Sequence, residues 1–210
     1  MASNSGSKRM FKLVTASVVL ALAIAAYYFI MLRSEVPSEA FENGSQPGVA
    51  AKLSDDMEKA LETNGEGLSQ ATVILQTTRG KIKYKFYTKD APKTVHRIAS
   101  LIQGGFYNGL IFHRVVPGFV IQGGDPTGTG RGGSGTNLPA EFNSRKHVPG
   151  TVAMARAQDP NSADSQFYIA LGTLPALDGN YTVFGQVVEG QEIANQIQPG
   201  DRMTGITIEK

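Results

Sequence analysis

The chain has 210 residues, 41% of them apolar, enough to bury a core in one sizeable domain or two small ones. Its 20 basic and 18 acidic residues leave a formal charge of +2, too small and too dispersed to form a nucleic-acid surface. Disulfides, thiolate nucleophiles and cysteine-ligated metals are excluded because there is no cysteine.

Lys8, Arg9 and Lys12 stand in a short basic segment, residues 1–12, ahead of "LVTASVVLALAIAAYYFIML" at 13–32. That run carries no charge, and as a helix it would extend roughly 30 Å, the thickness of a bilayer core. It predicts a transmembrane signal anchor. Only Arg33 follows before Glu35, Glu39 and Glu42, so the positive-inside rule places residues 1–12 in the cytosol and the rest of the chain in the lumen. The expected product is a single-pass type II membrane protein of the endomembrane system, in the ER or Golgi. The alternative is a secreted protein released by cleavage after Ala23-Ile24-Ala25, although the apolar run continues seven residues beyond that point.

Residues 33–69 have the polar, Ser/Gly/Pro-containing composition of a flexible linker. Val49, Leu53, Met57 and Leu61 recur every four residues within it, which suits a short stalk helix. Asn43 heads a glycosylation sequon, relevant only if this region is lumenal.

From about Thr72 the pattern changes to short apolar or alternating runs separated by glycine turns. "ATVILQT", "GKIKYKFYT", "GLIFHRVV", "GFVIQGGD", "GTVAMAR", "SQFYIAL", "YTVFGQVV" and "GITIEK" make eight strand candidates, whose number and spacing predict a closed antiparallel barrel over residues 70–210. Two helices are expected, in "APKTVHRIASLIQ" with Asp90 as N-cap and Pro92 near its start, and in "GQEIANQI". His96, His113 and His147 are scattered, with no carboxylate at metal-ligand spacing, so neither a metal nor another cofactor is expected.

The stretch "GGDPTGTGRGGSG", 123–135, holds seven glycines, and Gly128, Gly130 and Gly133 spell G-x-G-x-x-G. A dinucleotide site would need a helix immediately after it, so that the helix N-terminus faces the pyrophosphate. Gly135 and Pro139 in the following "SGTNLPAEF" oppose one. A nucleotide-dependent oxidoreductase is therefore a distant reading.

The longer stretch "GFYNGLIFHRVVPGFVIQGGDPTGTGRGG", followed in order by "AMARAQDPNSADSQFYIAL" and "LDGNYTVFGQVVEG", resembles the cyclophilins, peptidyl-prolyl cis-trans isomerases, across residues 72–210. The resemblance implies a mainly β fold, an eight-stranded barrel capped by two helices, acting without a cofactor on proline-containing polypeptides. It implies that Arg114 is the catalytic donor, with Phe119 and Gln122 completing the catalytic set. Val120, Tyr168 and Leu177 would line the proline pocket with Phe119, while Gln122 holds the substrate backbone and orients Arg114, and Gln166 is a further substrate-binding residue. His113 would be a groove wall rather than an acid or base, Ala155 and Arg156 the backbone-binding edge, and Tyr181 an aromatic wall where many relatives carry histidine. Alternation along the strand independently places Gln166 and Tyr168 on one face and Phe167 and Ile169 on the other.

Departures from the family's pattern bear on specificity. Ala176 stands where well-known relatives have a tryptophan that contacts cyclosporin, so only weak binding of that drug is expected. Arg156 replaces a common asparagine and Tyr168 a common phenylalanine, which keeps a proline-binding scaffold with little or no turnover as the alternative function. A second sequon at Asn180 lies beside the pocket, where a glycan would crowd the groove.

Overall fold

The computed structural model describes residues 67–209. The expected cytosolic tail, the span at 13–32, the linker up to residue 66 and the Asn43 sequon lie outside the described residues. Among those described, no helix is long and apolar enough to cross a membrane.

Eight strands form one antiparallel sheet: β1 (Thr72–Thr77), β2 (Gly80–Phe86), β3 (Arg114–Val116), β4 (Val120–Gly123), β5 (Thr151–Met154), β6 (Phe167–Ala170), β7 (Val183–Glu189) and β8 (Met203–Glu209). Their order is β3-β4-β6-β5-β7-β2-β1-β8, so strands distant in sequence become neighbours. α1 (Pro92–Gln103) packs on β8, and the second helix, α2 (Gln191–Ala194), is a single turn beside β2.

Alternation decides which face of each strand is buried. In β2, Ile82, Tyr84 and Phe86 are buried while Lys81, Lys83 and Lys85 alternate with them. The β1–β2 register sets Tyr84 opposite Val73 and Ile82 opposite Leu75, bringing four core side chains to one face. Val95, Ile98, Ala99 and Ile102, at helical spacing, supply the matching stripe of α1. Ile121, Val152, Phe167, Ile169 and Phe184 join this main core from β4 to β7.

The sheet is a curled half-barrel. No ladder joins its outer strands, β3 and β8. The chain just before β3 instead meets the chain leading into β8 through the isolated bridge Ile111–Arg202. Gly109 N donates to Met203 O at 2.7 Å, Met203 N to Leu110 O at 2.8 Å and Phe112 N to Asp201 O at 2.9 Å. The run "GLIFHRVV" thus contributes only three residues to a ladder, because its first half serves this seam.

The start of α1 also differs from expectation. Ala91, not Asp90, occupies the N-cap, with no side-chain hydrogen bond from it. Asp90 sits one residue too early to cap, and its carboxylate accepts from Arg145 Nε at 3.1 Å and Nη2 at 2.8 Å. The exposed amides of the first turn donate instead to Glu141, Lys93 N to Oε1 at 3.0 Å and Thr94 N to Oε2 at 2.8 Å. A carboxylate there satisfies two orphan donors and complements the positive helix end.

Glu141→Ala should therefore lower the unfolding free energy by about 1–2 kcal/mol. Glu141→Gln, which keeps an acceptor, should lose less. Urea denaturation followed by circular dichroism checks both values, and an unchanged midpoint for Glu141→Ala would contradict the capping role.

Candidate functional site

The site follows from one cross-strand row. Arg114 on β3 lies opposite Gln122 on β4, Gln122 opposite Tyr168 on β6, Tyr168 opposite Ala153 on β5, and Ala153 opposite Val183 on β7. Directly paired residues share a face, and here it is the face turned away from the main core. Along the row the chemistry changes from cationic, through amide, to apolar.

The apolar end is a second, smaller cluster. Val120, Ala153, Tyr168 and Val183 are buried in it, and Phe119, Ala155, Leu174, Leu177 and Tyr181 pack on them while remaining partly open. The Tyr168 and Tyr181 rings meet edge to face at 5.8 Å. Phe119, at the β3–β4 turn, also carries the Arg114 guanidinium 5.6 Å from its ring centre, linking the cationic and apolar ends.

The polar end is a directed chain of hydrogen bonds. Gln166 Nε2 donates to the carbonyls of Gly130 at 3.1 Å and Gly132 at 2.8 Å. Carbonyls only accept, so this contact fixes the orientation of the Gln166 amide. Its Oε1 must then accept, and it does so from Gln122 Nε2 at 2.9 Å. Gln122 is left with Oε1 facing Arg114, whose Nη1 donates to it at 3.2 Å. The backbone carbonyls of the glycine loop thereby orient Arg114 through two amides.

Asp125 shapes that loop from beneath. It is buried, and its carboxylate accepts from Thr127 N at 2.7 Å, Thr127 Oγ1 at 2.8 Å and Gly130 N at 2.6 Å. Burial pushes the Asp125 carboxyl upward, but hydrogen bonds from Thr127, Gly132 and Gly130 outweigh it and hold the group well below the usual carboxylate range. Gly130, at φ +83°, turns the chain in a conformation that L side chains rarely adopt. A Cβ on Gly132 would collide with the Asp125 carboxylate. No helix follows between residues 124 and 150, which removes the dinucleotide reading of the glycines.

His113 sits against Gly130 with both ring nitrogens buried and without hydrogen-bond partners. Burial lowers its pKa from the ordinary 6.5 and Arg114 adds to the effect, while Asp125 opposes it. The neutral ring is suited to be a wall.

A groove of about 430 Å³ continues past Gln122 and Gln166, lined among others by Arg131, Ala155, Arg156 and Asp164. Arg156 lines this groove and is held by loop carbonyls. Its Nε and Nη2 donate to Asn180 O at 3.1 and 3.0 Å, and its Nη1 to the Ala157 and Gln158 carbonyls at 3.0 Å. With its guanidinium 4.9 Å from the Tyr181 ring centre, it ties two loops together beside the groove. Asn180 is exposed, its amide donating to Asp178 O at 3.1 Å, and Thr182 of the same sequon is buried.

Arg114, Phe119, Val120, Gln122, Ala155, Gln166, Tyr168, Leu177 and Tyr181 fall on this row, the apolar cluster or the adjoining groove, and Ala176 lies next to Leu177 in the 3-10 turn Pro175–Leu177. Three were missed: Asp125, His147 and Asp178. His147 Nε2 lies 2.8 Å from the Tyr168 hydroxyl and its Nδ1 3.1 Å from Asp178 Oδ1. No spacing rule joins residues 147, 168 and 178, and only the fold brings them together. Among the described residues no cluster of His, Asp or Glu could hold a metal ion.

The family model described as "Cyclophilin type peptidyl-prolyl cis-trans isomerase/CLD" matches residues 72–209. The chain is 44% identical over 137 residues to a peptidyl-prolyl cis-trans isomerase of Synechococcus elongatus, covering 64% of this chain and 94% of that protein. It is 42% identical over 148 residues to one from Helicobacter pylori, covering 68% and 90%. A crystal structure of a cyclophilin-type isomerase from Cryptosporidium parvum, determined in the presence of the dipeptide Ala-Pro, superposes with a TM-score of 0.63 at 33% identity. That likeness covers 66% of this chain and 99% of the other.

Asp125→Asn replaces an acceptor by a donor facing the loop amides and should destabilise the domain by about 1–3 kcal/mol at neutral pH. The folded pKa is depressed, so the ionised group's contribution is full above the unfolded value near ~4 and disappears as pH falls through the folded value. The gap between wild type and variant, measured by urea unfolding, should therefore narrow progressively below about pH 4. A gap independent of pH would count against the carboxylate's role.

Proposed function

The chain belongs to the cyclophilin-type peptidyl-prolyl cis-trans isomerase family and is an isomerase enzyme, and we propose that it accelerates rotation about Xaa-Pro bonds in polypeptide substrates with Arg114 as the principal transition-state donor. Rotation is slow because it breaks amide resonance, with a barrier of about 18–20 kcal/mol. The substrate's proline ring enters the apolar cluster of Phe119, Val120, Tyr168, Leu177 and Tyr181. Gln122 and Ala155 lie along the flanking chain.

As the amide twists, the prolyl nitrogen loses its delocalisation, becomes pyramidal and gains an available lone pair. The Arg114 guanidinium can donate to the proline's carbonyl and favour this nitrogen without any proton transfer. A donor more useful to the twisted amide than to the planar one lowers the barrier. The observation that carries this reading is the chain from the Gly130 and Gly132 carbonyls through Gln166 and Gln122 to Arg114, because it holds the donor in place before substrate arrives. A neutral His113 at the groove wall fits a reaction that needs neither acid nor base.

The same reading extends to context. The apolar run at 13–32 tethers the isomerase domain to an endomembrane with the domain in the lumen, where it assists the folding of client chains. An Asn180 amide engaged with Asp178 O, together with buried Thr182, makes that sequon a poor glycan acceptor. Ala176, next to Leu177 in its 3-10 turn, offers no large aromatic side chain, so cyclosporin binds weakly.

Arg114→Ala in the full chain should reduce kcat/KM on an Xaa-Pro peptide by about 10²-fold or more, read by NMR exchange spectroscopy. Full activity in that variant would overturn the role of Arg114. Peptide binding without acceleration by the wild-type chain would favour the proline-binding scaffold. For the tether, the lumenal reading expects a C-terminal tag protected from protease in sealed microsomes and an N-terminal tag that is cleaved. A soluble, secreted product would replace it with the signal-peptide alternative.

A further inference from the structure

Tyr168 forms the floor of the apolar cluster, yet it carries a hydroxyl in a place that has to accept a proline ring. The side chain is buried, and its hydroxyl lies 2.8 Å from His147 Nε2. Behind it, His147 Nδ1 stands 3.1 Å from Asp178 Oδ1. The His147 side chain is wholly shielded from solvent.

The direction of these bonds can be worked out from the far end. Asp178 accepts from His147 N at 2.8 Å and pairs with Lys146 Nζ at 3.2 Å. The His147 backbone contact is the main influence holding its carboxyl below the ordinary range, so it is an acceptor only. An acceptor at Asp178 requires a proton on Nδ1; an imidazole carrying that single proton accepts at Nε2, which makes Tyr168 the donor. The two rings lie nearly parallel, 6.0 Å apart at 18°, and Tyr181 meets both edge to face.

We propose that His147 is a positioning residue for the proline pocket: by accepting the Tyr168 hydroxyl from behind, it keeps that polar atom out of the pocket and presents only the ring to substrate. This rests on the isomerase reading of the site. Without the acceptor, the hydroxyl has to remain unpaired in an apolar setting or turn towards the pocket and keep water there. Either outcome disfavours an apolar ligand. His147 also fastens the neighbouring wall through its backbone, since Leu174 N donates to His147 O at 2.8 Å just ahead of the turn bearing Leu177. Those backbone bonds remain when the side chain is changed, so the imidazole can be tested separately.

The test is a double-mutant cycle on the full 210-residue chain, with affinity for an Ala-Pro-containing peptide measured by NMR titration and KM and kcat by exchange spectroscopy. His147→Leu should weaken binding by about tenfold, with the loss in KM rather than kcat. The same substitution made on top of Tyr168→Phe should weaken it by less than about threefold, whatever Tyr168→Phe does by itself. Equal losses in the two backgrounds, or no loss in either, would overturn the proposal. Should His147→Leu fail to fold, the wild-type chain decides the matter through the imidazole nitrogen shifts. An unprotonated Nε2 beside a protonated Nδ1 is expected, and a protonated Nε2 overturns it. Absence of catalysed exchange in the wild type, with the His147–Tyr168 coupling intact in the binding data, would instead sink the isomerase reading alone.

Discussion

Everything at the polar end of the site depends on two backbone carbonyls that can only accept hydrogen bonds. Gly130 O and Gly132 O orient the Gln166 amide, which orients Gln122, which presents its oxygen to Arg114. An amide can be rotated to exchange its donor and acceptor ends, so a pair of glutamines alone would leave the arginine's environment undefined. Anchoring one end on main-chain oxygens removes the choice. The order then extends backwards, since the loop that supplies those oxygens takes its shape from Asp125, and a Cβ at Gly132 would displace that carboxylate.

The sheet makes this arrangement compatible with a stable domain by using its two faces differently. Ile121, Phe167 and Ile169 point into the main core, while Gln122 and Tyr168, their immediate neighbours in sequence, point into the site. A one-residue slip of β4 or β6 would exchange core and site residues, so the burial that holds the register also fixes the position of the functional row. At the apolar end the same economy recurs. His147 and Asp178 serve as hidden support for a ring whose exposed side does the proposed work.

How much of this was legible in the sequence depended on how local the governing interaction was. Alternation in "KIKYKF" and "SQFYIAL" and the helical stripe of "TVHRIASLI" are properties of adjacent residues, and the strands and α1 stand where those patterns put them. The cap of α1 did not follow, because Glu141 reaches it from 47 residues away while Asp90, the local candidate, pairs with Arg145. The bridge between Ile111 and Arg202 did not follow either, since a pairing of such distant residues is invisible to any short window. The family signature gathered Arg114, Phe119, Gln122 and the pocket residues, but a signature names positions without giving their bonds. It could not show that Arg156 is committed to loop carbonyls, nor that His147 stands behind Tyr168.

The pairing of β1 with β8 has a consequence for how such a chain comes into being. Thr72 and Glu209, opposite each other, are the first residue of β1 and the last of β8, whereas the β1–β2 hairpin is joined by adjacent residues. On a ribosome, the hairpin can form as soon as it emerges, but the neighbouring edge of β1 has to wait until nearly the whole domain has been synthesised. Until then β1 offers an unpaired strand edge of alternating apolar side chains. The nascent domain therefore passes through a vulnerable interval set by translation speed, and its final ladder closes only after β8 has been synthesised.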